Sequence, residues 1–204
     1  MTGKRGPYAK TEARRTAILE AALNVFADSG YQGGSLRDVA ERVGVTEAAL
    51  TYYFPNKRTL LTSVLELRDD LAFEVSPLDV SDPVEALRGL VRLARHNATM
   101  PGIIALHAKT SSEAVSPSHP AHDYYIKRYA FIVARLTEIF EACATRGLLK
   151  KHVQPARAAR ATVALMDGLQ IQWLIDPNST DMADELDTHV RSLIRREASW
   201  DKPG

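Results

Sequence analysis

Apolar residues recur every three or four positions along most of the chain, and no stretch alternates regularly between apolar and polar residues. The three-to-four spacing puts apolar side chains on one face of a helix, whereas a half-buried strand would show a period of two. Glycine and proline residues interrupt the pattern and divide it into separate segments. The pattern therefore predicts an all-α fold.

The interruptions set the expected bounds of the longer helices. We predict a first helix over about 11–28, with Gly30 just beyond it, and a fourth helix from about residue 57 to a point before Pro77. Two prolines and two aspartates within 76–83 indicate a connector. Later helices are expected at 83–98, 101–114, 120–147, 155–175 and 181–198.

Two short helical patterns lie between the first and fourth helices. Ser35 and Asp38 form a capping-box pattern at the start of the earlier one, and Gly44 ends it with the backbone freedom that a tight turn needs. Thr46 is the expected N-cap of the second pattern, and Pro55 stops it. Helices this short are marginal in water and need neighbours to pack on. Helix, glycine turn and helix in this order predict a helix-turn-helix.

The outward face of the second short helix carries side chains that suit DNA. At about 100° per residue, Leu50 and Phe54 point inward, whereas Ala48, Thr51 and Tyr52 fall on the far side. Small side chains allow close approach of the backbone, and hydroxyl groups reach phosphates or base edges. A modestly polar exposed face would look the same, but this helix occupies the position of a recognition helix, which enters the major groove.

The small net charge of +1 is unevenly distributed along the chain. Residues 1–62 hold nine Lys or Arg and six Asp or Glu, a balance of +3, which leaves 17 basic and 19 acidic residues, or −2, for the rest. This asymmetry has the sign that DNA contact requires. Residues 1–10 contain Gly, Pro and three basic residues, and we expect a disordered basic arm that reaches DNA, with a solvating tail as the alternative.

The cysteine count and the length of the apolar runs indicate the compartment in which the protein works. The single cysteine, Cys143, has no partner for an internal disulfide, which fits a reducing compartment. No uninterrupted apolar run is long enough for a membrane span, and no secretory signal follows the basic start. We therefore expect a cytoplasmic protein.

Residues 11–61, from TEARRTAILE to TYYFPNKRTLL, resemble the DNA-binding domain of the tetracycline-repressor (TetR) family. The features that match, in order, are Phe-x-x-x-Gly-Tyr, Ser-Leu-Arg-Asp-Val-Ala, Gly-Val-Thr and Tyr-Phe-Pro-x-Lys. The resemblance implies a homodimeric transcriptional regulator, usually a repressor, that a small molecule releases from a palindromic DNA operator. It also implies a helix-turn-helix domain at 11–57, followed by a helical ligand-binding and dimerisation domain at 58–204.

The resemblance assigns DNA-binding roles residue by residue. Positions that usually touch phosphates are matched by Ser35, Thr46, Tyr53 and Lys57, and positions that usually face bases by Ala48, Thr51 and Tyr52. Thr51 stands where the family often has tyrosine, and Glu47 where it often has a basic or small residue. A glutamate near phosphates is unfavourable unless it accepts a hydrogen bond from a cytosine amino group. The sequence leaves open whether Glu47 reads a cytosine or turns away.

The resemblance further predicts a ligand cavity in the C-terminal half. Aromatic residues, methionines and a few hydrogen-bonding groups typically line small-molecule pockets. The candidates are His96, Met100, Ile103, His107, Tyr125, Tyr129, Met166, Gln170 and Trp173. We favour His107, with Tyr125, as the centre from which a ligand shifts the helices. Any one of these side chains taken alone is more often part of a core.

The last two predicted helices carry more apolar surface than terminal helices usually expose. The expected dimer interface is formed by Leu165, Gly168, Leu169, Gln172, Leu186, His189, Val190, Leu193 and Ile194. Pairing with a twofold copy would make a four-helix bundle, although packing within one subunit explains part of the pattern. A dimer would also place two recognition helices in adjacent major grooves, roughly 34–36 Å apart.

An all-α enzyme is the main alternative. His119 and His122 suggest a metal pair, and Asp69, Asp70 and Glu74 suggest carboxylate ligands, but each set lacks the rest of a site. The sequence contains no glycine-rich phosphate loop and no nucleophile motif. We therefore expect neither an enzyme nor a metal or cofactor. A regulator of this family that activates, or that binds a partner without a ligand, is the second alternative.

Overall fold

The computed structural model of the chain describes residues 7–195 and Trp200. This part of the chain contains nine α-helices and no β-strand. The helices are α1 (Pro7–Gly33), α2 (Leu36–Val43), α3 (Glu47–Tyr53), α4 (Lys57–Val75), α5 (Pro83–Asn97), α6 (Pro101–Glu113), α7 (His122–Thr145), α8 (Pro155–Ile175) and α9 (Met182–Leu193). The prediction of an all-α fold is confirmed.

The start of α1 and the end of α9 differ from the predicted helix bounds. Helix α1 begins at Pro7, so residues 7–10 of the expected arm are helical, because proline is favourable at the first helical position. Residues 1–6 of that arm lie outside the described residues. Helix α9 ends at Leu193, with Ile194 in extended conformation, and residues 196–198 of its predicted span also lie outside the described residues.

The chain divides into two compact units. The first comprises Met1–Asp69 and Ala105–Asp123, and the second comprises Asp70–Ile104 and Tyr124–Gly204. The units therefore do not follow the expected boundary at residue 58. Most of α4 and most of α6 belong with the N-terminal helices instead, because α4 contributes buried apolar side chains there and α6 is bonded to α1.

Helix α6 is held on α1 by a lysine. The Lys109 ammonium donates hydrogen bonds to the backbone carbonyls of Ala27 (2.6 Å) and Asp28 (2.9 Å). These carbonyls lie in the last turn before Gly30, where φ is 70° and ψ is 175° and the helix is interrupted. Helix ends leave carbonyl groups without intrahelical donors, and a cation there is favourable. Lys109 therefore caps the regular part of α1 while fixing α6 beside it.

The backbone conformation at this interruption requires glycine at position 30. Its φ and ψ lie in a region that essentially only glycine occupies, and an added Cβ would come within 2.8 Å of the Glu113 carboxylate. We expect Gly30→Ala to lower the free energy of unfolding by about 1–3 kcal/mol, measured by urea denaturation followed by circular dichroism. Gly44→Asn is the matched control, because asparagine tolerates the left-handed conformation of Gly44 and nothing lies within 4 Å of a Cβ there. Equal losses in both variants would contradict the steric argument.

The second unit is built around α5, α7, α8 and α9. Its core includes Leu87, Leu136, Phe140 and Leu186, all fully buried, and α9 packs against both α5 and α8. Cys143 belongs to the same core, and burial raises the pKa of its thiol to about 11. The thiol is therefore neutral and packs as a small apolar group. Among the described residues, no helix has the length and apolar character needed to cross a membrane.

Candidate nucleic-acid interface and internal cavity

Both short helices begin with the predicted caps. The hydroxyl oxygen of Ser35 accepts from the backbone N–H of Asp38 (3.1 Å), and the Asp38 carboxylate accepts from the Ser35 hydroxyl (2.7 Å) and backbone N–H (2.8 Å). These bonds from the Ser35 hydroxyl and amide lower the pKa of Asp38. Gly44 ends α2 in the left-handed conformation, and Thr46 accepts from the N–H of Ala49 (3.1 Å) at the start of α3. The predicted helix-turn-helix is confirmed.

Two of the four predicted phosphate contacts, Ser35 and Thr46, are helix caps, and their hydroxyl groups differ in whether they can still donate a hydrogen bond. Ser35 both accepts from and donates to Asp38, so its hydroxyl hydrogen is engaged within the protein. The cap bond of Thr46 uses only an oxygen lone pair, which leaves its O–H as a donor. Thr46 is also exposed, whereas Ser35 is half-buried. Of these two hydroxyls, Thr46 is the better donor to a phosphate.

The outer face of α3 is open to solvent. Leu50 and Phe54 are buried beneath it, as the helical spacing predicted, whereas Ala48 and Glu47 are exposed. The side chain of Tyr52 is 83% exposed and packs edge-on against the ring of Tyr53. An exposed ring of this size is unfavourable in water unless something covers it. This face therefore has the properties of a contact surface.

Two side chains on this surface show details that the sequence did not predict. The Thr51 hydroxyl donates to the backbone carbonyl of Ala48 (3.0 Å), so its methyl group and an oxygen lone pair are what it can offer a base. Ala49 is also exposed and was missed, although its spacing from Tyr52 puts the two on adjoining parts of the helix surface. A close approach of the backbone is possible at both alanines.

Lys57 is held by contacts within the first unit. Its ammonium lies 4.4 Å from the centre of the Tyr31 ring and 3.4 Å from the carbonyl oxygen of Gln32. Burial lowers the pKa of this lysine. The His119 ring also packs edge-on against the Tyr31 ring, with 5.1 Å between their centres. Tyr31 thus connects the first residue of α4 to the segment that follows α6.

The predicted ligand residues occupy several different environments. His107, Tyr125, Ile103 and Gln170 are buried, whereas Met100, Tyr129, Met166 and Trp173 are half-buried. His107 and Tyr125 belong to different compact units. The Tyr129 hydroxyl donates to the Asp167 carboxylate (2.8 Å) and so ties α7 to α8.

His96 is a correction to the predicted cavity lining. It is exposed in the last turn of α5, on the same side as the exposed Arg92 and Arg95. The inward side of α5 instead presents Ala94 and Asn97, which follow the helical spacing of the buried residues before them. Asn97 was not predicted, because its inward position follows from the spacing of the buried residues of α5 and not from its residue type.

A narrow cavity lies between α5, α8 and α9 of the second unit. It is lined by Ala94, Asn97, Met166, Leu169, Gln170, Met182 and Leu186. The cavity has room for about one water molecule. Two predicted ligand residues, Met166 and Gln170, therefore border an internal space, and Asn97 and Met182 join them.

The predicted dimer residues are split between core and surface. Inside the second unit lie Leu169, Leu186, Val190 and Ile194, each at most 6% exposed. These four are corrections, because side chains that pack inside one protomer have no surface to give to a second. On the surface, exposed or half-buried, lie Leu165, Gly168, Gln172, His189 and Leu193. His189 contacts the Thr162 hydroxyl through Nε2 (3.0 Å), and burial lowers its pKa.

Small and apolar residues, together with one glutamine, follow one another along one side of α8 at the surface. This α8 stripe consists of Ala161, Ala164, Leu165, Gly168, Ile171, Gln172 and Ile175. Ile171 is 50% exposed and Ile175 is 80% exposed, and both were missed from the predicted interface. The helical spacing of three and four from Gly168 would have identified them.

Two capped short helices joined by a glycine turn, with an exposed outer face on the second, define the class of helix-turn-helix DNA-binding proteins. Two family models match the chain: bacterial regulatory proteins of the tetR family over residues 18–64, and the C-terminal part of BetI-type transcriptional repressors over residues 105–199. The chain belongs to the tetR family of bacterial regulatory proteins.

Individual relatives agree with this family. The transcriptional regulator TtgR of Pseudomonas putida is 29% identical over 196 residues, which cover 89% of this chain and 90% of TtgR. NalD, described as the secondary repressor of a multidrug efflux pump in Pseudomonas aeruginosa, is 26% identical with a TM-score of 0.69, and the match covers 91% and 99% of the two chains. A SmeT–triclosan complex shares the fold, with a TM-score of 0.79 at 17% identity over 94% of this chain and 99% of SmeT.

The prediction of a DNA-binding transcriptional regulator of this family is thereby confirmed. TtgR and NalD are named as regulators and neither is named as an enzyme. Members of this family bind DNA operators and small-molecule effectors.

Proposed function

We propose that this repressor binds a palindromic operator as a homodimer and leaves it when a small molecule enters the cavity of the second unit. The observation that carries the proposal is the outer face of α3, where two exposed alanines and the largely exposed Tyr52 stand on a helix capped at Thr46. Such a face allows the helix to approach the floor of the major groove. A DNA-binding regulator acts where the chromosome is, which places this one in the cytoplasm.

The DNA contacts divide into two groups. We assign Thr46, Tyr53 and Lys57 to phosphates, and Ala48, Thr51 and Tyr52 to bases. Ser35 is assigned to a phosphate as well, but its hydroxyl donates there only after it leaves Asp38. Glu47 is exposed at the first position of α3, and its charge acts on Arg37 of α2. Since a carboxylate beside a phosphate is unfavourable, Glu47 either accepts a hydrogen bond from a cytosine amino group or turns away from the DNA.

Binding of the full-length protein to its own upstream DNA, measured by fluorescence anisotropy at several salt concentrations, tests this assignment. Specific nanomolar binding with a steep negative salt dependence supports it. Weak binding that is indifferent to sequence at every tested fragment, including fragments selected from the genome, would contradict it.

Tyr52→Ala should change which operator is preferred. Because Tyr52 is almost fully exposed, its loss should leave stability unchanged while it weakens binding to the cognate operator by about 1–3 kcal/mol. The loss of affinity caused by Tyr52→Ala should be smaller on operators that are altered at the contacted base pair. Anisotropy titrations against a panel of single-base operator variants provide the measurement. Tyr53→Phe is the comparison, with a smaller and uniform loss on all variants; a uniform loss for Tyr52→Ala as well would contradict its role at a base.

The α8 stripe supports the homodimer. A twofold copy that packs the same stripe against itself would remove Ile171 and Ile175 from water, and the small residues Ala161, Ala164 and Gly168 would allow the two helices to approach closely. Each exposed isoleucine contributes favourable free energy only when it is covered. A dimer is also what a palindromic operator requires, since each half-site takes one α3.

Release requires that the effector prefers the form that does not bind DNA. A preference of about 1–3 kcal/mol changes operator affinity 5- to 150-fold. Helix α6 is suited to transmit the change, because Lys109 fixes it to the end of α1 and His119 packs on the Tyr31 ring that also holds Lys57. An effector that binds tightly in solution yet leaves operator affinity unchanged would exclude this coupling.

A further inference from the structure

The amide oxygen of Gln170 is buried without a hydrogen bond. Gln170 lies on α8, the residue is 5% exposed, and its Oε1 has no donor within reach. A buried acceptor without a donor is unfavourable, and native proteins keep few of them. Gln170 is one of the residues that line the cavity between α5, α8 and α9, and a donor in that space is a candidate partner for its Oε1.

The other walls of the cavity restrict the chemistry of that molecule. Five of its seven lining residues are apolar, namely Ala94, Met166, Leu169, Met182 and Leu186, and Asn97 and Gln170 are both neutral amides. A charged ligand would lose its hydration there without meeting a counter-charge. An uncharged, mostly apolar ligand loses little and gains apolar contacts.

A ligand larger than a water molecule enters this cavity only if its walls move, and two of the lining residues are methionines. Met166 and Met182 are unbranched and flexible, so they can move aside more easily than branched side chains. The thioethers are also polarisable and pack well against aromatic rings. The cavity is therefore adaptable in size but selective in polarity.

We propose that the effector is an uncharged, largely apolar molecule with a hydroxyl donor, such as a phenol, whose O–H donates to Oε1 of Gln170. This inference rests on the proposed function, in that it names the chemical class of ligand for the same cavity. It predicts that removing the hydroxyl donor from the ligand weakens binding by about as much as removing the acceptor from the protein.

The test uses three probes of similar size: 4-chlorophenol, 4-chloroanisole, which lacks the donor, and 4-chlorobenzoate, which is charged. Their binding to the full-length protein is measured by calorimetry, and operator release is measured separately by anisotropy. We expect the phenol to bind at least about tenfold more tightly than the ether and the benzoate, a difference of about 1.4 kcal/mol.

Gln170→Leu should abolish this preference. The phenol should bind about tenfold more weakly to the variant, and the ether about as well as before, because leucine offers an apolar surface but no acceptor. Gln154→Leu is the matched control, since Gln154 is exposed at the start of α8 and its side chain makes no capping bond. It should retain the full preference.

Three results would overturn the inference: no binding of the phenol, equal or tighter binding of the ether or benzoate to the wild type, or a phenol preference that survives in Gln170→Leu. The wild-type comparison decides the question even if Gln170→Leu does not fold. Phenol binding that depends on Gln170 without operator release would sustain the site and refute the proposed release. If only a charged molecule released the operator, the proposed release would stand and the proposed ligand chemistry would be refuted.

Discussion

A monomer that no longer binds its operator tightly is the expected result of Gly168→Glu. Gly168 lies at the centre of the α8 stripe, where nothing lies within 4 Å of an added Cβ, so the protomer itself accommodates the new side chain. In the proposed dimer, two carboxylates would be buried close together without counter-charges, which is strongly unfavourable. Loss of the second half-site should weaken operator binding by at least about 1,000-fold, towards non-specific affinity.

Light scattering coupled to size exclusion reports the mass of the variant, and anisotropy reports its operator affinity. Ala156→Glu is the matched control, because Ala156 is exposed in the first turn of α8, where a negative charge is favourable, and lies off the stripe. It should remain dimeric with unchanged affinity. A dimeric Gly168→Glu with wild-type affinity would show that the stripe is not the interface.

Phe140→Ala is expected to cause the largest loss of folding stability, about 3–5 kcal/mol. Phe140 is 0% exposed and packs in the core of the second unit, so its removal loses apolar burial and leaves a cavity. The measurement is urea unfolding of the full-length protein, followed by tryptophan fluorescence, to which Trp173 and Trp200 contribute; both lie against the same core.

The same helix offers a control phenylalanine. Phe131 is 55% exposed on α7 and packs edge-on against Phe73 at the surface. Phe131→Ala should cost less than about 1.5 kcal/mol, because little of the ring is removed from water and one aromatic pair is lost. Losses of similar size in the two variants would contradict burial of the ring as the source of the expected difference.

The sequence alone determined the local structure of the DNA-binding helices. The side chains of Ser35 and Thr46 accept bonds from backbone groups three residues away, and Gly44 turns the chain within its own neighbourhood. Caps and turns of this kind depend on neighbouring residues, so their positions follow from the order of residues. The inward side of α3 followed in the same way from the spacing of Leu50 and Phe54.

Only the tertiary structure decided which residues of the C-terminal helices share a space. Helices α5 and α8 carry apolar residues on more than one side, so spacing did not separate the cavity from the core or from the surface. In the structure, His96 lies at the surface and Asn97 lines the cavity. Leu169 lies in the core, and Ile175 belongs to the exposed α8 stripe. The side of a helix that is buried depends on the helices that pack against it, and those contacts join residues far apart in the chain.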